Sequence, residues 1–247
     1  LGIQILAANS IMAKNDFSRK DKFFNKKCGI AINHLRIPKT IVKAKRYKDG
    51  YLLNSELTWA SGYKIFDKLL IGFHLDDYEC EVVTSFKEKK GFKIVNRPKT
   101  FVAMGLNTVN IKLKNYFVKK KNIVSKNPIG NYTKNKSLSK TVHYCLYALG
   151  NSAIKNTEDK TIKEKNKQKL EEIKYKFLSC NEGEALDILR VELFYIVLDI
   201  TTLAMINYGG KSVLLEKNLQ RYYRELIMFN SNGLNSKIKG LFSKKSL

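Results

Sequence analysis

The sequence predicts an α+β chain in which an antiparallel β-barrel or sandwich precedes an antiparallel four-helix bundle. Two observations carry this. Between residues 28 and 125, short runs of β-branched and apolar residues, in places alternating with polar ones, are separated by turn signals. After Asn127-Pro128-Ile129-Gly130-Asn131 the apolar period lengthens to that of a helix and stays there. The expected organisation is an N-terminal helical remnant at 1–27, a β domain at 28–126 and a helical bundle at 132–247.

In the β region, "IVKAKRYKDGYLLN" places Asp49-Gly50 between two extended runs, a strong hairpin signal. "KLLIGF" is a short, wholly apolar strand. "CEVVTSF" and "FKIV" flank Lys89-Lys90-Gly91 and read as a second hairpin. In "VNIKLKNYFV", Val109, Ile111 and Leu113 alternate with Asn110, Lys112 and Lys114, which gives one buried and one wet face. Short antiparallel strands with tight turns imply a sandwich or small barrel.

Beyond the break, "SLSKTVHYCLYALGNSAI" and "TEDKTIKEKNKQKLEEIKYKFL" read as the first two helices. A longer one begins at "NEGEALDIL", where Asn181 and Glu184 have capping-box spacing. It ends at Gly209, which suits a cap that needs positive φ. Leu186, Leu189, Leu193, Ile196, Ile200 and Leu203 form its apolar stripe, and the segment is roughly 39 Å long at about 1.5 Å per residue. "LEKNLQRYYRELIMF" supplies the fourth helix. Short connections make the bundle antiparallel.

At 247 residues and 44% hydrophobic content, the chain is long enough for one large or two ordinary domains with real cores. Its net charge of +24 first suggests a polyanion partner. The densest basic run, 109–140, is rich in lysine and lacks the clustered arginine and interleaved aromatics of a nucleic-acid platform. It is read as a solvated basic face, and nucleic acid is not an expected partner. Cys28, Cys80, Cys145 and Cys180 are far apart, which fits free thiols in a reducing cytoplasm. His34, His74 and His143 are scattered, so no metal site is expected. "LGIQILAANSIMA" is too short to span a bilayer and lacks a signal peptide's basic start. It reads as the last turns of a buried helix, with further sequence expected upstream of Leu1.

Three stretches carry a resemblance to the acyl-CoA dehydrogenase superfamily. "DGYLLNSELTWASG" resembles a segment with a Trp followed two residues later by a Ser or Thr. "MGLNTVNIKLKNYFVKKKNIV" is similar to the superfamily's strand pair with a short tail. "DITTLAMINYGGKSVLLEKNLQRYYRE" resembles the bundle stretch with a Gly-Gly pair followed by R-x-x-R-[DE]. The resemblance covers about residues 28–230 and implies a flavoprotein. It implies that Trp59 shields the isoalloxazine ring and that the Ser61 hydroxyl donates near flavin N5. It places Asn33 loosely near the pyrimidine edge, and Gly209 and Gly210 at the cofactor pyrophosphate, often that of a neighbouring subunit. The expected cofactor is FAD, with FMN as the alternative. An acyl-CoA or another small-molecule substrate and a homo-oligomer are implied too, with the electron acceptor left open. Without the family, Trp59 reads equally as a core aromatic and Ser61-Gly62 as a turn.

The chain departs from the family where a carboxylate should take the substrate α-proton. One such position falls at about Gly233 and the other near Lys140, and neither is acidic. Glu184, Glu216 and Glu225 are the nearest carboxylates in sequence, so no catalytic residue is identified. The Gln that usually precedes the Gly-Gly pair is Ile206. Three readings stay open: a flavin-dependent dehydrogenase with impaired dehydrogenation, a flavin-dependent monooxygenase, and a truncated non-catalytic binding member.

Overall fold

The computed structural model describes residues 1–24, 26–36, 42–134, 139–231 and 236–245. The chain forms two compact units, Leu1–Asn135 and Lys136–Leu247. The first carries helices α1 (Gly2–Lys14), α2 (Lys20–Phe24) and α3 (Asn131–Lys134). Its strands are β1 (Cys28–Ala31), β2 (Lys43–Tyr47), β3 (Gly50–Ala60), β4 (Lys68–Leu75), β5 (Tyr78–Ser85), β6 (Phe92–Asn96), β7 (Val109–Lys119) and β8 (Ile123–Pro128). They make one sheet in the order β6-β7-β3-β2-β4-β5-β8, with β1 beside β4.

β4 explains much of this arrangement. Its "KLLIGF" run is apolar without alternation because both faces of the strand are covered. Leu69, Ile71 and Phe73 enter the main barrel core, whereas Leu70 enters a second core with Ala8, Met12, Phe17 and Phe23 of the N-terminal segment. The helices at 1–27 therefore close the other face of the sheet. In the main core, Tyr63, Phe86, Phe92 and Tyr116 pack edge to face in series at 5.5, 6.4 and 5.3 Å, an arrangement their ring quadrupoles favour. The pairing is not wholly antiparallel. β1 runs parallel to β4 from Cys28/Lys68 to Ala31/Ile71, and β2 meets β4 in parallel at Lys43/His74. Periodicity identifies a strand but not its direction, so these two pairings were invisible in the sequence.

Both hairpin readings need correction in detail. The tight turn joining β2 and β3 is Lys48-Asp49, since Tyr47 pairs with Gly50. Lys48 takes the positive φ, at 48°. Gly50 is instead the first strand residue, and a Cβ there would lie 2.1 Å from the Val118 carbonyl oxygen of β7. β5 and β6 do not form a hairpin: β5 pairs with β4 and β8, and β6 with β7. The turn at Lys90-Gly91 closes only a bridge between Lys89 and Phe92. Beside the β2–β3 hairpin, a second tight hairpin joins β4 to β5 through Asp76-Asp77.

On β5, Glu79 and Glu81 are buried. Glu79 accepts from the backbone N–H groups of Gly130 and Tyr132, at 3.2 and 2.6 Å, and so holds the segment that leads out of β8. Glu81 accepts from Ser125 Oγ at 2.5 Å and from the Tyr132 hydroxyl. Burial raises the Glu81 pKa above the ordinary 4.5, opposed by the Ser125 and Tyr132 hydrogen bonds and reinforced by the Glu79 charge.

The second unit holds α4 (Thr141–Ile154), α5 (Lys160–Ser179), α6 (Gly183–Tyr208), α7 (Asn218–Ser231) and α8 (Ser236–Lys245). The four expected helices are present, and α8 is a fifth among the described residues. Its Phe242 packs edge to face on Phe194 of α6 at 5.3 Å. On α6 the buried line is Leu186, Leu193, Val197, Ile200 and Ala204, and Leu189, Ile196 and Leu203 are only half-buried. The N-cap of α6 is Glu182, with no side-chain cap, so the capping box at Asn181 does not form. Glu184 instead reaches Lys237 of α8 at 2.6 Å. His143 is buried and donates from Nε2 to the Leu186 carbonyl at 2.8 Å, tying α4 to α6. The four cysteines are free, and burial pushes the Cys28 thiol up to about 12 and Cys80 up to about 11. No described helix is long and apolar enough to cross a membrane, and no metal-binding cluster occurs among the described residues.

Replacing Gly50 with Ala is expected to cost about 1–3 kcal/mol, because the new methyl must push β7 away from β3. Chemical denaturation measures it, and an unchanged midpoint would mean the ladder is looser than described. Glu81 makes a second prediction. Its folded pKa is raised, so the native state binds more protons in the window just above pH 4.5. That contribution is present below the unfolded pKa and is lost as pH rises through the folded value. Glu81→Gln is expected to flatten this part of the melting-temperature profile, and an identical profile would contradict the assignment.

Candidate functional site

β3 ends in a bulge that shapes the candidate site. Leu57 pairs with Ile111 and Ala60 with Val109, so Thr58 and Trp59 together face Asn110. Trp59 takes φ 61°, a left-handed conformation that costs an L-residue roughly 1–2 kcal/mol. Its N–H, released from the ladder, donates to Asn110 Oδ1 at 3.2 Å. The bulge turns the indole outward: Trp59 is 62% exposed. It is not a core aromatic.

The following residues are held from the other side. Ser61 is buried, and its Oγ lies 2.9 Å from Thr108 Oγ1, so one hydroxyl donates to the other. Gly62 has φ 91° and donates its N–H to the Leu106 carbonyl at 2.6 Å. A Cβ at Gly62 would lie 2.1 Å from the Phe66 ring, so both conformation and space demand glycine. Tyr63 N–H donates to the Asn107 carbonyl at 3.2 Å, which ties the 103–107 turn to the end of β3. Ala103, Asn107 and Lys64 also have positive φ, at 58°, 45° and 63°. Four non-glycine residues in left-handed conformations thus gather around one buried hydroxyl pair beside an exposed indole. Strain of this kind persists only where surrounding bonds over-determine it, and it concentrates at ligand sites. Thr108 and Asn110 were missed in the sequence; their signal was their place across the β3–β7 ladder from Ser61 and Trp59.

Asn33 is exposed at the start of a short 3₁₀ turn, Asn33–Arg36. That turn is anchored by His34, which donates from Nε2 to the Gly72 carbonyl at 2.7 Å, and by Leu35 packed over Gly72. No bond from Asn33 toward Trp59 or Ser61 is present.

Gly209 and Gly210 belong to the second unit. Gly209 caps α6 with φ 69°, and its N–H bonds back to the Met205 and Ile206 carbonyls. A Cβ on either glycine would meet nothing within 4 Å. The cap accounts for Gly209, whereas no described residue stands close enough to Gly210 to exclude a side chain there. Ile206, one turn earlier, is 69% exposed. Farther along, Arg221 Nε pairs with Glu225 at 3.7 Å. Lys140, at the start of α4, donates to the Leu178 carbonyl at 2.6 Å. Gly233 lies outside the described residues. The two carboxylates the sequence singled out that are paired here, Glu184 and Glu225, each hold a cation on the surface.

No protein-family model and no curated protein matches the chain. Solved structures do. Butyryl-CoA dehydrogenase from Megasphaera elsdenii superposes with a TM-score of 0.72 at 12% identity, over 93% of this chain and 72% of that one. A glutaryl-CoA dehydrogenase from Mycobacterium smegmatis, solved in complex with FADH2, gives 0.70 at 11% identity, over 96% and 72%. A chain from work on the electron transferring flavoprotein of Acidaminococcus fermentans gives 0.73 at 15% identity, over 93% and 72%. This chain has the fold of the acyl-CoA dehydrogenase superfamily, as the order and spacing of its motifs implied.

Proposed function

We propose that the chain is the flavin-binding part of an oxidoreductase of the acyl-CoA dehydrogenase type, with FAD as cofactor. The observation that carries this is the exposed Trp59, held in a strained bulge beside the Ser61–Thr108 hydroxyl pair. A flavin needs a flat apolar cover that excludes water and one donor at the ring edge. Trp59 provides the cover. Ser61 can accept from Thr108 and keep its own proton for a ring nitrogen. Gly210, with open space where a Cβ would stand, suits close approach by a pyrophosphate. Bound flavin would supply the hydride acceptor, and this chain's residues would hold and desolvate it.

The acid–base half of the reaction is weaker. Of the two places where a carboxylate would take the substrate proton, one holds Lys140 and the other Gly233. General-base assistance is worth about 10²–10⁴ in rate, so its loss falls on turnover more than on cofactor affinity. The reading is therefore a flavoprotein that dehydrogenates acyl-CoA thioesters slowly, if at all. Use of reduced flavin and oxygen, which needs no such base, is the second reading, and Lys140 in place of an acid favours it. Exposed Ile206, Val213 and Leu215 beside the glycine pair support a subunit contact there, in line with a homo-oligomer.

Trp59 is the sole tryptophan, so its fluorescence reports directly on this site. FAD is expected to quench it saturably; in Trp59→Gly, which keeps no tryptophan, binding is read from the change in flavin fluorescence instead. Trp59→Gly is expected to weaken FAD about three- to tenfold while raising stability by about 1 kcal/mol through relief of the left-handed strain. Ser61→Ala should weaken FAD to a similar degree by removing one hydrogen bond of about 1 kcal/mol. Titrations with FMN in parallel decide between the cofactors. No quenching by either flavin, or loss of stability in Trp59→Gly, would overturn the reading. The chemistry is tested by mixing the FAD-loaded protein anaerobically with acyl-CoA thioesters and following flavin absorbance. Slow or absent bleaching is expected, and fast bleaching would show that another group serves as base.

A further inference from the structure

A cleft of about 470 Å³ opens in the first unit, away from the β3 bulge. Arg19 and Lys22 flank it from the N-terminal helical segment, Lys26 from the run into β1, Lys68 from the start of β4, Lys89 from the turn before β6, Lys119 from the end of β7 and Lys121 from the turn that follows it. Seven of its fourteen lining residues are cationic and none is acidic. The chain as a whole has 46 cations in 247 residues, so composition alone does not account for this density. Among the described residues, none of the seven forms an ion pair. The acids adjacent in sequence do not line the cleft: Asp21 and Asp67 are exposed, and Glu88 accepts from the Ile94 N–H.

Several of these charges are held in place. Arg19 donates from Nη1 to Asn122 Oδ1, and its guanidinium sits 5.5 Å from the centre of the buried Phe23 ring. Lys68 faces the same ring at 6.0 Å, and Lys89 stands 4.9 Å from the Tyr116 ring. The Asn122 carbonyl oxygen is thereby used, which leaves its amide NH₂ to donate, and Ser85 adds a hydroxyl. Like charges gathered in one concavity with no counter-charge repel one another. A low-dielectric wall strengthens the field they share. An anion of several charges relieves that repulsion; a single-charge anion relieves little of it. Lysines predominate, which suits phosphate oxygens as point charges. The volume falls within the range of small-ligand sites, about 300–1,000 Å³. Val83, Phe117 and Val118 give one wall an apolar character.

We propose that this cleft binds an oligophosphate, two or more linked phosphate groups, either free or carried on a nucleoside. The site is separate from Trp59 and Ser61, so it stands or falls independently of the flavin reading.

Calorimetric titration of the full chain, freed of nucleic acid by nuclease and high salt, tests this with inorganic triphosphate, ATP and orthophosphate at about 0.15 M salt, where the Debye length is about 8 Å. One triphosphate per chain is expected, with orthophosphate at least about tenfold weaker because it makes fewer charge-assisted bonds. Tighter ATP than triphosphate would assign the nucleoside to the apolar wall; equal affinity would assign the phosphate chain alone. Lys119→Glu with Lys121→Glu is expected to weaken triphosphate at least about tenfold. Lys163→Glu with Lys167→Glu on α5 makes the same change in net charge, and is expected to alter it less than about twofold. Lys22→Ala with Lys26→Ala, milder and on an exposed edge, repeats the test should the charge reversal disturb folding. The proposal is overturned if no saturable binding survives at this salt, if both double reversals weaken binding equally, or if riboflavin, which carries no phosphate, displaces the triphosphate.

Discussion

The β3–β7 ladder is the constraint on which the first unit depends. It runs from Gly50/Lys119 to Ala60/Val109, two eleven-residue strands with register shifts at Leu53/Ser55 and Leu57/Ala60. An undistorted ladder of that length would keep Trp59 in the period-two alternation, on a side fixed by Leu57. The second shift breaks the alternation. The same Asn-based device appears at both shifts: Asn54 Oδ1 accepts from the Asn115 N–H at 2.8 Å, as Asn110 Oδ1 does from Trp59. Backbone donors freed by the bulges are thus satisfied by side chains across the ladder, which lets the distortion exist at tolerable cost.

This coupling explains why the candidate site is both strained and ordered. Trp59, Lys64, Ala103 and Asn107 all sit in a region L-residues avoid. The bonds from Gly62 and Tyr63 to the 103–107 turn, and the Ser61–Thr108 contact, hold them there. The ring of Phe66 reaches into the space that a Cβ on Gly62 would need, so the turn is also locked from the core. An indole that stays 62% exposed on a strained support gains only part of the burial an aromatic side chain can offer. Its arrangement makes physical sense if something flat covers it.

Charge is distributed by a different logic. Most of the chain's cations lie on solvated faces, several in ordinary surface ion pairs such as Lys112 with Glu56 at 3.1 Å, each of small worth. The cleft bounded by Arg19, Lys68 and Lys119 is the exception, because its cations converge without an acid among them. A basic run in a sequence has no direction. Lys119 and Lys121 belong to the same run as Lys112, yet they end up in different electrostatic settings because β7 ends at Lys119.

Local rules read from the sequence alone determined the two-part α+β organisation, the four main helices and the strand positions, because periods of two and 3.6 follow directly from backbone geometry. They also placed Gly209 at the cap that ends the long helix, where it has φ 69°. The motif order pointed to a fold that the solved structures share. Only the tertiary structure decided which strands meet. The parallel pairings of β1 and β2 with β4, the separation of β5 from β6, and the use of Gly50 as a close contact rather than a turn residue all depend on partners distant in sequence. The same holds for the site. Trp59 and Ser61 could be named from one segment, but their exposure, strain and hydrogen bonds come from Thr108 and Asn110, about fifty residues later, which only the folded β3–β7 ladder places opposite them.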